Sequence, residues 1–198
     1  MYHTYSTDAI VLESKAMGDS SRLLWLFTKD FGLILADVKS ARGHLSKLRP
    51  SIQTYSYGLF TLVRGKRGWK VINVIGKGNH YYELRSTRSD AIEALARTSH
   101  VMRKLIGLDD VVHEDVFSLL SQGIEQMKCS NATESCVIES VMVCRMLGRL
   151  GYMTHEGLPQ LLVSPYLNFS EELLAAAVPM RAALNRRINA SLKQTGLL

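Results

Sequence analysis

The hydrophobic period of the chain changes once, near Gly76-Lys77-Gly78-Asn79, and that change limits what the 198 residues can build. Before it, short apolar and β-branched runs alternate with turn residues, the pattern of strands. After it, apolar residues recur every three or four positions, the spacing of one helix face. No internal repeat or low-complexity tract interrupts either part. A chain that is 46% apolar, with four prolines, is neither disordered nor collagen-like. Its length allows one domain or two small ones with enough apolar material for a core.

The first part reads as strands near Thr4–Ser14, Arg22–Thr28, Leu33–Val38, Thr54–Val63 and Trp69–Ile75. Lys29-Asp30-Phe31-Gly32 is a short hairpin connection, and Arg64-Gly65-Lys66-Arg67-Gly68 is another, with two glycines suited to positive φ. The longer connection Lys39–Gln53 has room for about one helical turn before Pro50 ends it. Leu23-Leu24-Trp25-Leu26-Phe27 is apolar on both faces, which suits a small closed barrel partly covered by another element, with Trp25 in the core. Five strands with a long third connection is the plan of an OB-fold, and a five-stranded open sheet is the alternative. Gly76-Lys77-Gly78-Asn79 then serves as a linker. The expected class is α+β: an N-terminal five-stranded OB-fold β-barrel over residues 1–79, followed by an all-α helical domain over residues 80–198.

Within the second part, Ile92, Leu95, Ser99, Met102 and Leu105-Ile106 mark one face of a helix over Asp90–Ile106, stopped by Gly107. Val116, Leu119-Leu120, Gly123-Ile124 and Met127 mark a second, with Glu114-Asp115 at its positive N-terminal end. Glu134–Leu150 is apolar around most of its circumference, so it is expected as a buried central helix. Ser170–Ala177 and Met180–Gln194 are expected as further helices, parted at Pro179.

The formal charge of +6 is segregated. Residues 1–80 hold twelve Lys/Arg against five Asp/Glu, a net of +7, whereas residues 81–198 carry a net of −1. Charge gathered in one part of a chain points to a polyanionic partner, nucleic acid before an anionic membrane surface. Two acid-free clusters carry it. The first holds Lys39, Arg42, His44, Lys47 and Arg49; the second holds Arg64, Lys66, Arg67 and Lys70 around a hairpin tip. Such side chains neutralise phosphates without reading sequence. Tyr55, Tyr57, Phe60 and Trp69 lie close by, as a single-strand groove with stacking rings would have them. Solvated loop charge is the alternative for the clusters, and core packing is the alternative for the aromatics.

Catalytic motifs are missing. Asp30-Phe31-Gly32 spells a kinase triplet without the rest of the kinase signature, and His155-Glu156 lacks the second histidine of a zinc-protease helix. Gly76-x-Gly78 lacks a third glycine at dinucleotide-binding spacing. Cys129, Cys136 and Cys144 include no Cys-x-x-Cys pair, so reduced thiols and no metal or other cofactor are expected. The N-terminus opens no signal peptide, and no apolar run approaches the roughly 20 residues of a membrane span. A cytoplasmic, nucleoid-associated binding protein without catalytic residues is the expectation.

Tyr5-Ser6-Thr7-Asp8-Ala9-Ile10-Val11-Leu12, Gly18-Asp19-Ser20-Ser21-Arg22-Leu23, Leu26-Phe27-Thr28 and Gly32 resemble the opening of RecO, the bacterial recombination mediator family. The resemblance continues through Ala41-Arg42, Ser46-Lys47-Leu48-Arg49-Pro50, Gln53 and Tyr55-Ser56, and returns in Arg145-Met146-Leu147-Gly148 with Leu150-Gly151-Tyr152. It implies an N-terminal OB-fold, a helical C-terminal domain, and binding of single- and double-stranded DNA. It also implies strand annealing, with RecR as partner and help in loading RecA onto strands coated by single-stranded DNA-binding protein. The four-cysteine zinc site of some members has no counterpart after Cys144. The chain is also shorter than typical members, so part of the helical domain's partner surface is expected to be absent. An RNA- or ribosome-associated module and a protein-scaffolding adaptor are the competing readings.

A partner site is expected on the central helix. Arg145 and Arg149 are four apart and share a stripe with Ile138 and Met142, at the margin of the buried surface with wet guanidinium groups. The resemblance supplies the ligand, the acidic C-terminal tail of single-stranded DNA-binding protein. Arginines bonded to neighbouring acids or helix carbonyls are the alternative.

Overall fold

The alternation of the N-terminal part becomes five strands: β1 (Thr4–Met17), β2 (Ser21–Thr28), β3 (Gly32–Val38), β4 (Ser56–Gly65) and β5 (Gly68–Asn79). The computed structural model describes residues 3–18, 20–39, 48–85, 89–109, 112–164 and 169–196. β1 pairs antiparallel with both β2 and β4, β2 with β3, and β4 with β5. A short parallel contact, Ala36 with Trp69 and Asp37 with Lys70, closes the barrel in the order β1-β2-β3-β5-β4. This is the five-stranded OB-fold, and the open sheet is ruled out.

Period-2 alternation sends Leu24, Leu26, Ile34, Ala36, Phe60 and Leu62 into the barrel, all fully buried. Truncating one such leucine costs about 2–5 kcal/mol, since the barrel closes only partly around the cavity left. Tyr5, Phe31 and Trp69 meet with ring centroids 5.1–5.5 Å apart and pack against this core. Gly32 (φ 65°) and Gly68 (φ 101°) supply the left-handed turns that the two hairpin connections need.

Several expectations are corrected. Trp25 is not a core residue: its neighbours Leu24 and Leu26 point inward, so the pleat turns it outward, where it is half-buried. The stretch Gly76–Asn79 is not a linker but the end of β5. Glycine suits it because a Cβ at Gly76 would run into Ser51, and one at Gly78 into Tyr57 and Glu83. Pro50 begins a helical turn, and residues 40–47, where a turn before it is expected, lie outside the described residues. It sits in the first turn of the 3-10 helix Arg49–Ile52, where no donor is missed. Phe60 and Trp69 pack in the barrel core, while Tyr57 stacks on His80 at 4.1 Å.

Two compact units are distinguished: residues 1–83 with 106–117, and residues 84–105 with 118–198. In the first, the segment from 106 onward returns to the barrel wall. Leu108 forms a parallel bridge with Leu33, and the Asp109 amide donates to Leu33 O at 2.9 Å. Phe117 packs on Phe27 at 5.7 Å, and Lys29 pairs with Glu114 at 3.1 Å. Glu114 holds the Lys29 ammonium above its ordinary pKa by hydrogen bonding and charge.

The helices are α1 (His80–Arg85), α2 (Ser89–Leu105), α3 (Glu114–Cys129), α4 (Ala132–Arg149), α5 (Gln160–Val163) and α6 (Glu171–Gln194). Helix α4 is the buried centre of the second unit, packed against α2 and α6. Its start is set by a capping box: Asn131 Oδ1 accepts from the Glu134 amide at 3.0 Å, and Glu134 Oε2 accepts from the Asn131 amide at 2.7 Å. Arg97 of α2 donates to both Glu139 oxygens of α4 at 2.7 and 2.8 Å, which holds its pKa above the ordinary value. The expected break at Pro179 does not occur, and α6 runs through it. A proline removes one N–H donor, and burial of Leu173, Leu174, Ala177, Leu184 and Ile188 along α6 offsets that loss.

Candidate nucleic-acid interface

The β4–β5 hairpin gathers the second basic cluster because its turn is only Lys66-Arg67, between two strands in register from Leu62–Val71 to Gly65–Gly68. Lys66 and Arg67 are exposed at the tip, and Lys70 is half-buried on the strand. With Val63 and Gly65 they line an open cavity of about 290 Å³. Among the described residues, no carboxylate pairs with Lys66, Arg67 or Lys70. Arg64 is restrained: its guanidinium lies 5.3 Å from the centroid of the Trp69 ring and 3.9 Å from Asp109 Oδ1. Three cations without a described carboxylate partner and one weakly held one make a positively charged surface of the kind that neutralises phosphates.

Of the first cluster, Lys39 is exposed just beyond β3, and Arg49 is exposed in the 3-10 helix. Arg42, His44 and Lys47 lie outside the described residues. The register that sets Asp37 opposite Lys70 leads β3 on toward Lys39, which brings Lys39 near Lys70, whereas Arg49 belongs to the other end of the hairpin, where the Ser56 hydroxyl donates to Pro50 O at 3.1 Å. Elsewhere on the barrel, Lys77 pairs with Asp8 at 2.7 Å and Lys29 with Glu114 at 3.1 Å.

The expected partner stripe is corrected in one respect. Ile138 and Met142 are fully buried, and Arg145 is 2% exposed rather than wet. Arg145 Nε donates to Leu162 O at 2.8 Å and Nη2 to Leu161 O at 3.2 Å, with its guanidinium 5.6 Å from the Phe169 ring centroid. Burial, and secondarily Arg149, lowers its pKa. Arg149 is half-buried. These four residues form no open surface together. This unit has an open groove elsewhere, of about 780 Å³, between α2, α4 and α6. Val143, Ile188 and Leu192 line it, with His100 and Arg181 exposed on its walls.

Two residues escape a reading of the sequence. Asp109 lies 40 positions from its partner Trp69, and no local pattern links them. Trp25 is masked by the apolar residues on either side of it, and only the alternation of buried Leu24 and Leu26 gives its direction away.

Comparison with known proteins bears on the same part of the chain. Residues 1–76 match the family model described as "Recombination protein O N terminal". The chain is 24% identical over 148 residues to the "DNA repair protein RecO" of Desulfitobacterium hafniense (strain DSM 10664 / DCB-2), a match covering 75% of this chain and 52% of that protein. It is 33% identical over 70 residues to the protein of that name from Clostridium novyi (strain NT), covering 35% of this chain and 27% of the relative. For the protein of that name from Alkaliphilus metalliredigens (strain QYMF) the identity is 30% over 127 residues, covering 62% and 48%. The chain thus spans about half the length of the curated relatives it matches.

Proposed function

We propose that this chain, a member of the RecO family by its N-terminal domain, is a non-catalytic DNA-binding protein of repair and recombination. The observation that carries the reading is the β4–β5 tip, where Lys66, Arg67 and Lys70 share one cavity without a carboxylate partner among the described residues. Lys39, which follows the strand paired with Lys70, extends that surface, and Arg42, Lys47 and Arg49 on the connection before β4 are proposed as further phosphate contacts. Binding is to phosphates of single- and double-stranded DNA and is nearly indifferent to sequence. Held strands can be annealed to complements and passed to RecA, with RecR as the co-mediator. The helical unit receives the protein partners. Its groove, apolar inside with Arg181 at the wall, supports docking of the acidic tail of single-stranded DNA-binding protein better than the buried Arg145 stripe does. Among the described residues no helix is long and apolar enough to cross a membrane, and the proposed location is the cytoplasm at the nucleoid.

Titration of labelled DNA and RNA oligonucleotides at two salt concentrations tests this. With about four to six phosphates neutralised, log affinity falls against log salt with a slope of roughly −3 to −5. A slope near zero contradicts the reading, and a strong preference for RNA over DNA replaces it with an RNA-binding module.

A further inference from the structure

The net −1 of residues 81–198 conceals a second segregation of charge. Residues 81–172 hold all thirteen Asp/Glu of that part and eight Lys/Arg, whereas residues 173–198 hold four Lys/Arg and no acid. Those four, Arg181, Arg186, Arg187 and Lys193, are all on α6 and all exposed. Among the described residues none of them pairs with a carboxylate, and Glu139 on the facing helix α4 is taken up by Arg97 at 2.7 and 2.8 Å.

The period of the helix brings Ala182, Arg186, Asn189 and Lys193 onto one stripe, exposed along its length. Arg186 and Lys193 stand about two turns apart, roughly 10 Å along the axis, which is the rise of about three phosphates along one DNA strand. Arg187 flanks the stripe. Its Nη1 donates to Glu156 O at 2.7 Å, which orients the guanidinium and leaves its other donors without a bond among the described residues. Arg181 lies apart from these three, at the wall of the groove between α2, α4 and α6.

The chemistry of this face selects among the occupants of a basic helix. The large apolar residues of this half of α6, Leu184, Ile188 and Leu192, are buried within the unit, so none is left to enter a lipid surface. A protein partner anchors through an aromatic or aliphatic side chain in a pocket, and the stripe offers only Ala182 and Asn189 between and beside its cations. A phosphate backbone needs positive charge and donors and no pocket.

From this arrangement we infer that the C-terminal half of α6 is a second DNA-backbone site, borne by the helical unit, at which Arg186, Arg187 and Lys193 hold the phosphates of a second strand. The inference rests on the DNA-binding reading above and deepens it by giving the complementary strand a site of its own. Two strands repel through their phosphates. A chain that neutralises both lowers that repulsion and raises the concentration of each strand at the other. A barrel tip acting alone holds one strand and leaves its complement to arrive unaided.

The test uses the full chain and two short, non-complementary oligonucleotides carrying different dyes. Sedimentation with two-colour detection finds both on the parent, two oligonucleotides per chain. In the variant Arg186→Gln, Lys193→Gln neither replaced side chain has a bond to lose among the described residues, so the fold is kept. This variant takes up one oligonucleotide per chain, keeps the tighter affinity, and anneals complementary strands about tenfold or more slowly. Arg186→Lys keeps the charge and still takes up two. A parent that takes up only one per chain, or a folded Arg186→Gln, Lys193→Gln variant that takes up two, overturns the second site and leaves the DNA-binding reading standing. A parent that binds neither oligonucleotide overturns both. A double variant that loses an oligo-glutamate probe peptide while keeping both oligonucleotides also overturns the second site, and gives the face to an acidic protein segment.

Discussion

The Trp69 indole donates a 2.6 Å hydrogen bond to Asp109 Oδ1, the same oxygen that lies 3.9 Å from the Arg64 guanidinium. One carboxylate therefore ties the segment after α2 to the barrel and restrains a cation of the proposed DNA surface. Asp109 holds a left-handed backbone conformation, φ 56°, which aspartate tolerates better than most residues do. Asp109→Ala is expected to lower stability by about 1–3 kcal/mol, because the indole N–H loses its partner. Asp109→Asn keeps an acceptor and should recover most of that loss while freeing Arg64, so DNA affinity should rise slightly. Urea unfolding with a parallel DNA titration checks both, and equal stability of all three proteins contradicts the account.

Arg145 of α4 holds α5 through two of its carbonyls, those of Leu161 and Leu162, with Nη1 buried and unbonded. Arg145→Ala strands both carbonyls, and the expected cost is about 2–3 kcal/mol. Arg145→Lys should recover little, since an ammonium cannot reproduce the planar fork. Thermal unfolding of the two variants decides this. Wild-type stability in Arg145→Ala would show that the guanidinium is incidental.

Pro179 is exposed in the interior of α6. Alanine there restores the hydrogen bond to the Ala175 carbonyl and removes the ring clash. Pro179→Ala should raise stability by up to about 3 kcal/mol in denaturant unfolding. A neutral or destabilised variant would mean that the helix has settled around the proline.

How much of this is legible in the sequence depends on distance along the chain. Turn residues and local alternation give the strand pairs β2–β3 and β4–β5, and the long connection before β4 gives the barrel order. Helix periodicity gives α2, α3 and α4 to within a few residues. Pairings such as Leu33 with Leu108, or Trp69 with Asp109, leave no local trace, because they are chosen by which surfaces remain uncovered once the barrel has closed. Trp25 misleads for a related reason: in a run apolar on both faces, composition does not say which side meets solvent. Pro179 shows the limit of breaker rules, since the surrounding burial decides whether a proline breaks a helix.

Burial pushes the Cys144 thiol up to about 11, from an ordinary 9.0, against the opposing pull of Arg145 and Arg187. Between those values the unfolded chain ionises and the native one does not. This group therefore withdraws stability as pH rises through that window, and its contribution is intact below it. Cys129 is exposed. At pH 8, a thiol reagent followed by mass spectrometry should label Cys129 in the native protein and Cys144 only after unfolding. Equal rates at the two sites would contradict the burial.

The central claim is that the β4–β5 tip holds DNA through its phosphates, and one titration tests it most directly. The variant Arg64→Ala, Lys66→Ala, Arg67→Ala should keep the parent's unfolding midpoint, because exposed loop charges contribute little to stability. Its DNA affinity should fall alike on unrelated sequences, and the salt slope should flatten by about one for each phosphate no longer neutralised. A folded triple variant with the parent's affinity and slope would contradict the claim.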